Sequence, residues 1–209
     1  MINHDEELSR PASQDGLSIG ILTGGKSRRM GQNKAFLTWN DQSFIEHITG
    51  ELSGFAEVLV SCREPELYRG LELPLVVDER DDIGPLEGIR CLLKKASCES
   101  IFICAVDMPL VTEELVRFLW KKKDPESDCL AVQTRKQPEP LCAVYSKRVL
   151  PVIETMLSEG EHRLYALLER ITTQTVHPEE GDFGEEVVRN LNFYEDYEDC
   201  VNNCLNQEE

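Results

Sequence analysis

The chain has no apolar run near the roughly 20 residues that a membrane-spanning helix needs, and its start, MINHDEELSRPASQDG, lacks the apolar region of a secretion signal. Neither a bilayer span nor export by such a signal is expected. Positive charge is scarce: 22 Lys and Arg stand against 39 Asp and Glu, for a net charge of −17. A surface of that sign repels nucleic acid and anionic membranes at long range, so neither is expected as a partner. The eight cysteines include no C-x-x-C pair, and His4, His47, His162 and His177 are scattered without metal-ligand spacing. Cys200 and Cys204, four apart, have no His or Cys pair nearby. The cysteines read as reduced thiols, several of them packing as small hydrophobes in apolar runs, and this points to the cytoplasm. One further absence is local. Between Asp15 and Asp41 there is no acidic residue, where the average composition would place roughly 4 to 5.

That gap coincides with the stretch LSIGILTGGKSRRMGQNK, from Leu17 to Lys34. Leu17, Ile19, Ile21 and Leu22 have the pattern of a short strand buried in a parallel sheet. The pattern stops at Gly24-Gly25, where two residues without Cβ allow tight turning and bring N–H groups close to a ligand. Lys26, Arg28, Arg29 and Lys34 follow. Strand, glycine pair and cations together describe a phosphate cradle.

Two phosphate loops are written in these letters. Residues 20–27, GILTGGKS, satisfy the G-x-x-x-x-G-K-[ST] pattern of a P-loop, and residues 101–107, IFICAVD, have the apolar run and closing Asp of its magnesium-binding strand. A P-loop, however, needs its strand to end at the first glycine and a sustained helix to start near the lysine. Ile21 and Leu22 read as more strand, and Gly31 interrupts a following helix.

The second reading takes residues 22–34 as L-T-G-G-x-S-x-R-M-G-x-N-K. This resembles the L-A-G-G-x-S-x-R-M-G-x-D-K signature of the molybdenum cofactor guanylyltransferase family of nucleotidyltransferases, with Thr23 in place of Ala and Asn33 in place of Asp. Three more stretches resemble the same family: Asp78 followed by GPLEG at residues 84–88, VDMP at 106–109, and the segment around Asn190-Leu191-Asn192. The resemblance implies that Leu22, Thr23, Gly24 and Gly25 hold nucleotide phosphates through backbone N–H groups, and that Arg29 and Lys34 neutralise charge. It further implies that Asp78 and Gly84 contact the nucleotide, that Asp107 binds Mg²⁺, and that Asn192 reaches the metal region. Glu87 stands where the family has a small residue and reads as a surface substitution. Residues 135–140 lie where the family meets its acceptor, so Arg135 and Lys136 face either an anionic acceptor or solvent.

Apolar residues make up 41% of the chain, enough for one well-packed domain, expected over residues 16–197 after a loosely attached extension over 1–15. Ser43 and Glu46 form a capping box before a helical stripe of Phe44, Ile45, Ile48 and Leu52. Strands are expected at 58–60, 75–77, 101–106, 130–132, 141–145 and 172–176. Helices are expected after Pro85 and Thr112, and over 149–157 and 163–171. Such alternation predicts a three-layer α/β/α Rossmann-like fold with a mostly parallel sheet. From Glu179 onward eleven acidic residues face one basic residue, Arg189, which reads as a solvated tail, with residues 198–209 beyond the domain.

The expected reaction, by resemblance, is transfer of GMP from GTP to the terminal phosphate of molybdopterin with Mg²⁺, releasing pyrophosphate, in partnership with molybdoenzyme maturation proteins. The alternatives are a related cytidylyl or sugar-phosphate transferase, a P-loop NTPase, and a non-catalytic cofactor-binding protein.

Overall fold

The computed structural model describes residues 16–24, 33–39 and 41–191. Seven strands form one sheet in the order β5-β4-β1-β6-β8-β7-β9: β1 (Leu17–Leu22), β4 (Val58–Cys62), β5 (Leu75–Val77), β6 (Ser100–Ala105), β7 (Cys129–Gln133), β8 (Pro138–Ser146) and β9 (Thr173–Val176). β8 alone runs antiparallel to its neighbours β6 and β7, and the other pairings are parallel. The two-residue strands β2 (Thr38–Trp39) and β3 (Gln42–Ser43) form a separate hairpin.

β1 and β6 are buried along their whole length, because successive side chains alternate between two covered faces. Leu17, Ile19, Ile21, Phe102 and Cys104 pack beneath α1 (Phe44–Glu51) and α3 (Glu113–Lys122). Leu22, Ile101 and Ile103 pack beneath α2 (Pro85–Lys95), α4 (Leu150–Ser158) and α5 (Leu164–Arg170). The three-layer α/β/α arrangement with a mostly parallel sheet is thus present. The capping box at Ser43 and Glu46 is formed, Thr112 caps α3, and Pro85 occupies the first turn of α2.

One expectation is met and two change. β1 continues to Leu22, so Gly20 lies in mid-strand rather than at the start of a loop. A Cβ there would come within 2.7 Å of Ile103 Cδ1 and 2.9 Å of Leu92 Cδ1, so this glycine serves close helix–sheet packing, and the strand does not end at the first glycine as a P-loop needs. Glu87 is not a surface substitution: it is fully buried and ion-paired with Arg90. Nor is the chain beyond Glu179 wholly a solvated tail, because Val187, Val188 and Leu191 are buried in the core under β1 and β6. Among the described residues Glu179, Glu180, Asp182 and Glu186 are exposed while these apolar ones face in. The expectations for 1–15 and 198–209 lie outside the described residues.

Candidate active site

β1 is the point where the winding of the sheet reverses: the chain steps outward to β4 and β5, then returns to place β6 on the other side of β1. The crevice beyond the carboxyl ends of the strands at such a switch point is the ordinary ligand site of an open α/β sheet. Thr23 and Gly24 leave β1 there, Asp107 follows β6, Ser61 and Cys62 close β4, and Asp78 follows β5.

Two of the residues singled out in the sequence meet directly. Lys34 Nζ lies 2.8 Å from Asp107 Oδ2, with their side chains only 22% and 16% exposed. Asn33 sets this position by capping a single 3₁₀ turn, Lys34–Phe36, its Oδ1 accepting from the Ala35 amide at 3.1 Å. Buried Ala35 anchors the turn from below. On the other side, Val106 donates its amide to Leu22 O at 3.0 Å, Leu191 donates its amide to Asp107 O at 2.9 Å, and His47 Nε2 bonds Pro109 O at 2.9 Å. The Asp107 loop is thereby held on three sides.

Asp78 occupies the other half of the crevice. Ser61 donates from Oγ to Asp78 Oδ1 at 2.8 Å, and the Asp78 amide donates to Cys62 O. Burial raises the Asp78 carboxyl above the usual aspartate range, against the lowering effect of the Ser61 hydrogen bond. Asp78, Ser61, Gly24, Leu22, Gly84 and Gly88 line a cavity of about 240 Å³. Gly84, at φ 87°, turns the chain into α2 in a conformation that favours glycine. Gly88 brings α2 against β1 and β4, since a Cβ there would lie 2.5 Å from Leu22 Cδ2.

The role of Thr23 differs from expectation. Its amide and its Oγ1 both donate to Ser61 O, at 3.2 and 2.7 Å, so this N–H is engaged in joining β1 to β4 rather than offered to a phosphate. Gly25, Lys26, Arg28, Arg29 and Asn192 lie outside the described residues. Arg135 is exposed and ion-paired with Glu185. Sequence reasoning missed Ser61, Gly88 and Arg90. A glycine inside a helical pattern was the available signal for Gly88, and a small polar residue at the end of an apolar strand was the signal for Ser61.

Among the described residues no three His, Cys, Asp or Glu side chains converge as a metal cage. A single half-buried carboxylate at a strand end still suits Mg²⁺, which keeps several waters and shares phosphate oxygens rather than demanding an all-protein site.

A switch-point crevice with a glycine turn, a lysine–aspartate pair and a second carboxylate opposite defines a nucleotide-handling α/β enzyme of the nucleotidyltransferase class. The family model of the MobA-like NTP transferase domain matches residues 19–176. A protein of Carboxydothermus hydrogenoformans named a probable molybdenum cofactor guanylyltransferase is 34% identical, covering 87% of this chain and 93% of that one. The molybdenum cofactor guanylyltransferase of Syntrophotalea carbinolica is also 34% identical, covering 87% and 89%. In structure, the molybdopterin-guanine dinucleotide biosynthesis protein A of Archaeoglobus fulgidus is similar with a TM-score of 0.79 at 24% identity, over 90% of this chain and 99% of that one. The chain belongs to the MobA-like NTP transferase family.

Proposed function

We propose that the chain transfers GMP from GTP to the terminal phosphate of molybdopterin, forming a guanine dinucleotide cofactor and releasing pyrophosphate. The observation that carries this reading is the Lys34–Asp107 pair, brought together from 73 positions apart at the carboxyl edge of the sheet. The acceptor phosphate is already ionised, so its oxygen attacks the α-phosphorus without a general base. Catalysis then rests on holding two polyanions in line and on offsetting the charge that builds up during transfer. Lys34 places positive charge at the reacting phosphates, and Gly24 lets the backbone approach them. Asp78 orients the nucleoside end of the donor, with Gly84 and the α2 turn closing the cavity around it.

Mg²⁺ would be held by Asp107, where it supplies charge neutralisation on phosphate oxygens. Arg29 and the Gly25 amide are assigned to the same phosphates, and Asn192 to the metal side. The Leu191 amide bonded to Asp107 O supports this last assignment, because it brings the preceding residue to that loop. We further assign residues 16–197 to one catalytic domain, the cytoplasm as its location, and molybdoenzyme maturation proteins as recipients of its product.

The test is parallel incubation with Mg²⁺, molybdopterin and α-³²P-labelled GTP, CTP or ATP. Labelled dinucleotide, with an equal amount of unlabelled pyrophosphate, is expected from GTP alone. Label from CTP instead would shift the assignment to a cytidylyltransferase, and nucleoside diphosphate with inorganic phosphate would overturn nucleotidyl transfer.

A further inference from the structure

Arg63 is the first residue after β4, and its side chain, 40% exposed, lines the cavity that Asp78 and Gly84 also line. Arg80 is the other cation of that wall, but it is committed to α4 and α2, 3.0 Å from Glu154 and 3.9 Å from Glu87. Arg63 Nη2 donates to Asp81 Oδ1 at 2.8 Å, and Nη1 lies 3.7 Å from Asp82 Oδ1. The bond to Asp81 takes one of the five N–H groups of a planar fork, and the side chain makes no other hydrogen bond among the described residues.

Stability is no reason for this arrangement, because an ion pair whose side chains are 40% and 90% exposed contributes little. Its support is nonetheless fixed. Glu79, two residues before Asp81, is 2.7 Å from both Arg90 and Lys94, and its amide donates to Glu87 Oε1 at 3.2 Å. Asp81 thus stands on a loop anchored to α2 and holds the guanidinium at the cavity wall. What the fork can meet there follows from its chemistry. The reacting phosphates are assigned to Gly24 and Lys34, so the Asp78 cavity takes the nucleoside. Parallel N–H groups suit two neighbouring acceptors, and guanine offers O6 beside N7. Adenine sets an amine beside N7, which would meet the fork donor to donor. Cytosine, whose neighbouring acceptors are N3 and O2, is the competitor to exclude by experiment.

We propose that Arg63 reads the donor base, donating from its fork to O6 and N7 of guanine, and that Asp81 is the positioning residue that holds the fork in place. This deepens the reading of the chain as a GTP-dependent transferase and rests on it. Calorimetric titration of each protein with GTP, 7-deaza-GTP, ATP and CTP in Mg²⁺ is the test. The parent is expected to bind the other three about tenfold more weakly than GTP. Arg63→Ala should weaken GTP about tenfold and 7-deaza-GTP, which lacks the N7 acceptor, by no more than about threefold. Arg63→Lys keeps the charge without the fork and should behave as Arg63→Ala. Asp81→Asn should weaken GTP about threefold on its own and not at all when added to Arg63→Ala.

A parent that binds GTP no better than 7-deaza-GTP would overturn the proposal without any variant. Equal losses of both nucleotides in Arg63→Ala would place Arg63 on ribose or phosphate, recovery in Arg63→Lys would reduce it to a bare charge, and a larger loss of CTP than of GTP would make it a cytosine reader. Each of these also overturns it. The melting temperature of Arg63→Ala, expected within about 2 °C of the parent, separates lost binding from lost folding. Labelled transfer is measured on the same proteins. No dinucleotide from a parent that prefers GTP would fail the reaction alone, whereas dinucleotide formed from GTP and 7-deaza-GTP at equal kcat/KM would fail the role of Arg63 alone.

Discussion

Lys34 and Asp107 illustrate how much of a site can rest on one pair of side chains. Lys34→Ala removes charge that matters most when the phosphorus is five-coordinate, so kcat is expected to fall by about 10²- to 10³-fold with a smaller change in KM. Asp107→Asn keeps the shape of the loop and is expected to abolish the rise in rate with added Mg²⁺, which a metal titration of initial rates will show. Asp78 behaves differently because the fold itself opposes its charge. Its folded pKa stands above the unfolded value of 3.8, so the fold is favoured by the protonated form and loses stability as pH rises through the interval between the two. Asp78→Asn is therefore expected to leave the neutral-pH melting temperature equal or higher while raising the KM for the nucleotide. A lower melting temperature with unchanged KM would mean that Asp78 serves structure alone. Asp78 and Asp107 were legible because charge at the end of an apolar run is a signal that a single sequence carries, and Lys34 because it belongs to a cluster of cations inside a resembled signature. Ser61 carried a fainter signal, because its importance lies in the partners, Asp78 and Thr23, that the fold brings to it.

At the scale of elements, α2 shows both the reach and the limit of sequence pattern. Pro85 at its start and the lysines at its end mark its bounds. Its buried face is another matter. Arg90, with a side chain 2% exposed, makes ion pairs to Glu87 at 2.6 Å, Glu79 at 2.7 Å and Glu154 of α4 at 2.9 Å. Glu87 and Arg90 could be seen as an i,i+3 pair, but their burial depends on α4 and on the loop after β5. Breaking such a set from one side leaves buried charge uncompensated, so Arg90→Leu is expected to cost about 3 to 5 kcal/mol in denaturant unfolding, and the double change with Glu87→Leu less than the sum. The same network gives a pH signature. Hydrogen bonds from Lys94 and Arg90 hold Glu79 down at about 2, and Glu87 also lies below its usual range because Arg90 overcomes the opposing effect of burial. For lowered carboxyls the stabilisation is complete above the unfolded value of 4.5 and is lost as pH falls through the folded values. The melting temperature should fall between about pH 5 and pH 2, and Arg90→Leu should flatten that slope. β8 was foreseen only in its middle, because Pro138 and Pro140 argue against a strand; it starts at Pro138 nonetheless, beside a register shift at Ala131/Val132.

The whole molecule is an α/β sheet whose central strands announced themselves through uninterrupted apolar runs, while their order and direction came from tertiary pairing alone. The reversal of β8 between two strands of the opposite sense has no local letter code. The same holds for the return of residues 185–191 to the core, where acidic neighbours mask three apolar anchors. A chain ended after Gly184 loses Val187, Val188 and Leu191, each worth about 1.5 to 3 kcal/mol of burial. Its melting temperature is expected to drop by about 10 °C or more, measurable by calorimetry. An unchanged melting temperature would mean that this return segment adds nothing to the core. The bond from Leu191 to the Asp107 carbonyl also sets an order of events during synthesis. The Asp107 loop leaves the ribosome some eighty residues before the amide that fastens it, so an interrupted translation product carries the loop without its clasp. Activity is therefore expected only from chains that extend through Leu191, and a series of C-terminal truncations assayed for turnover would show the onset there.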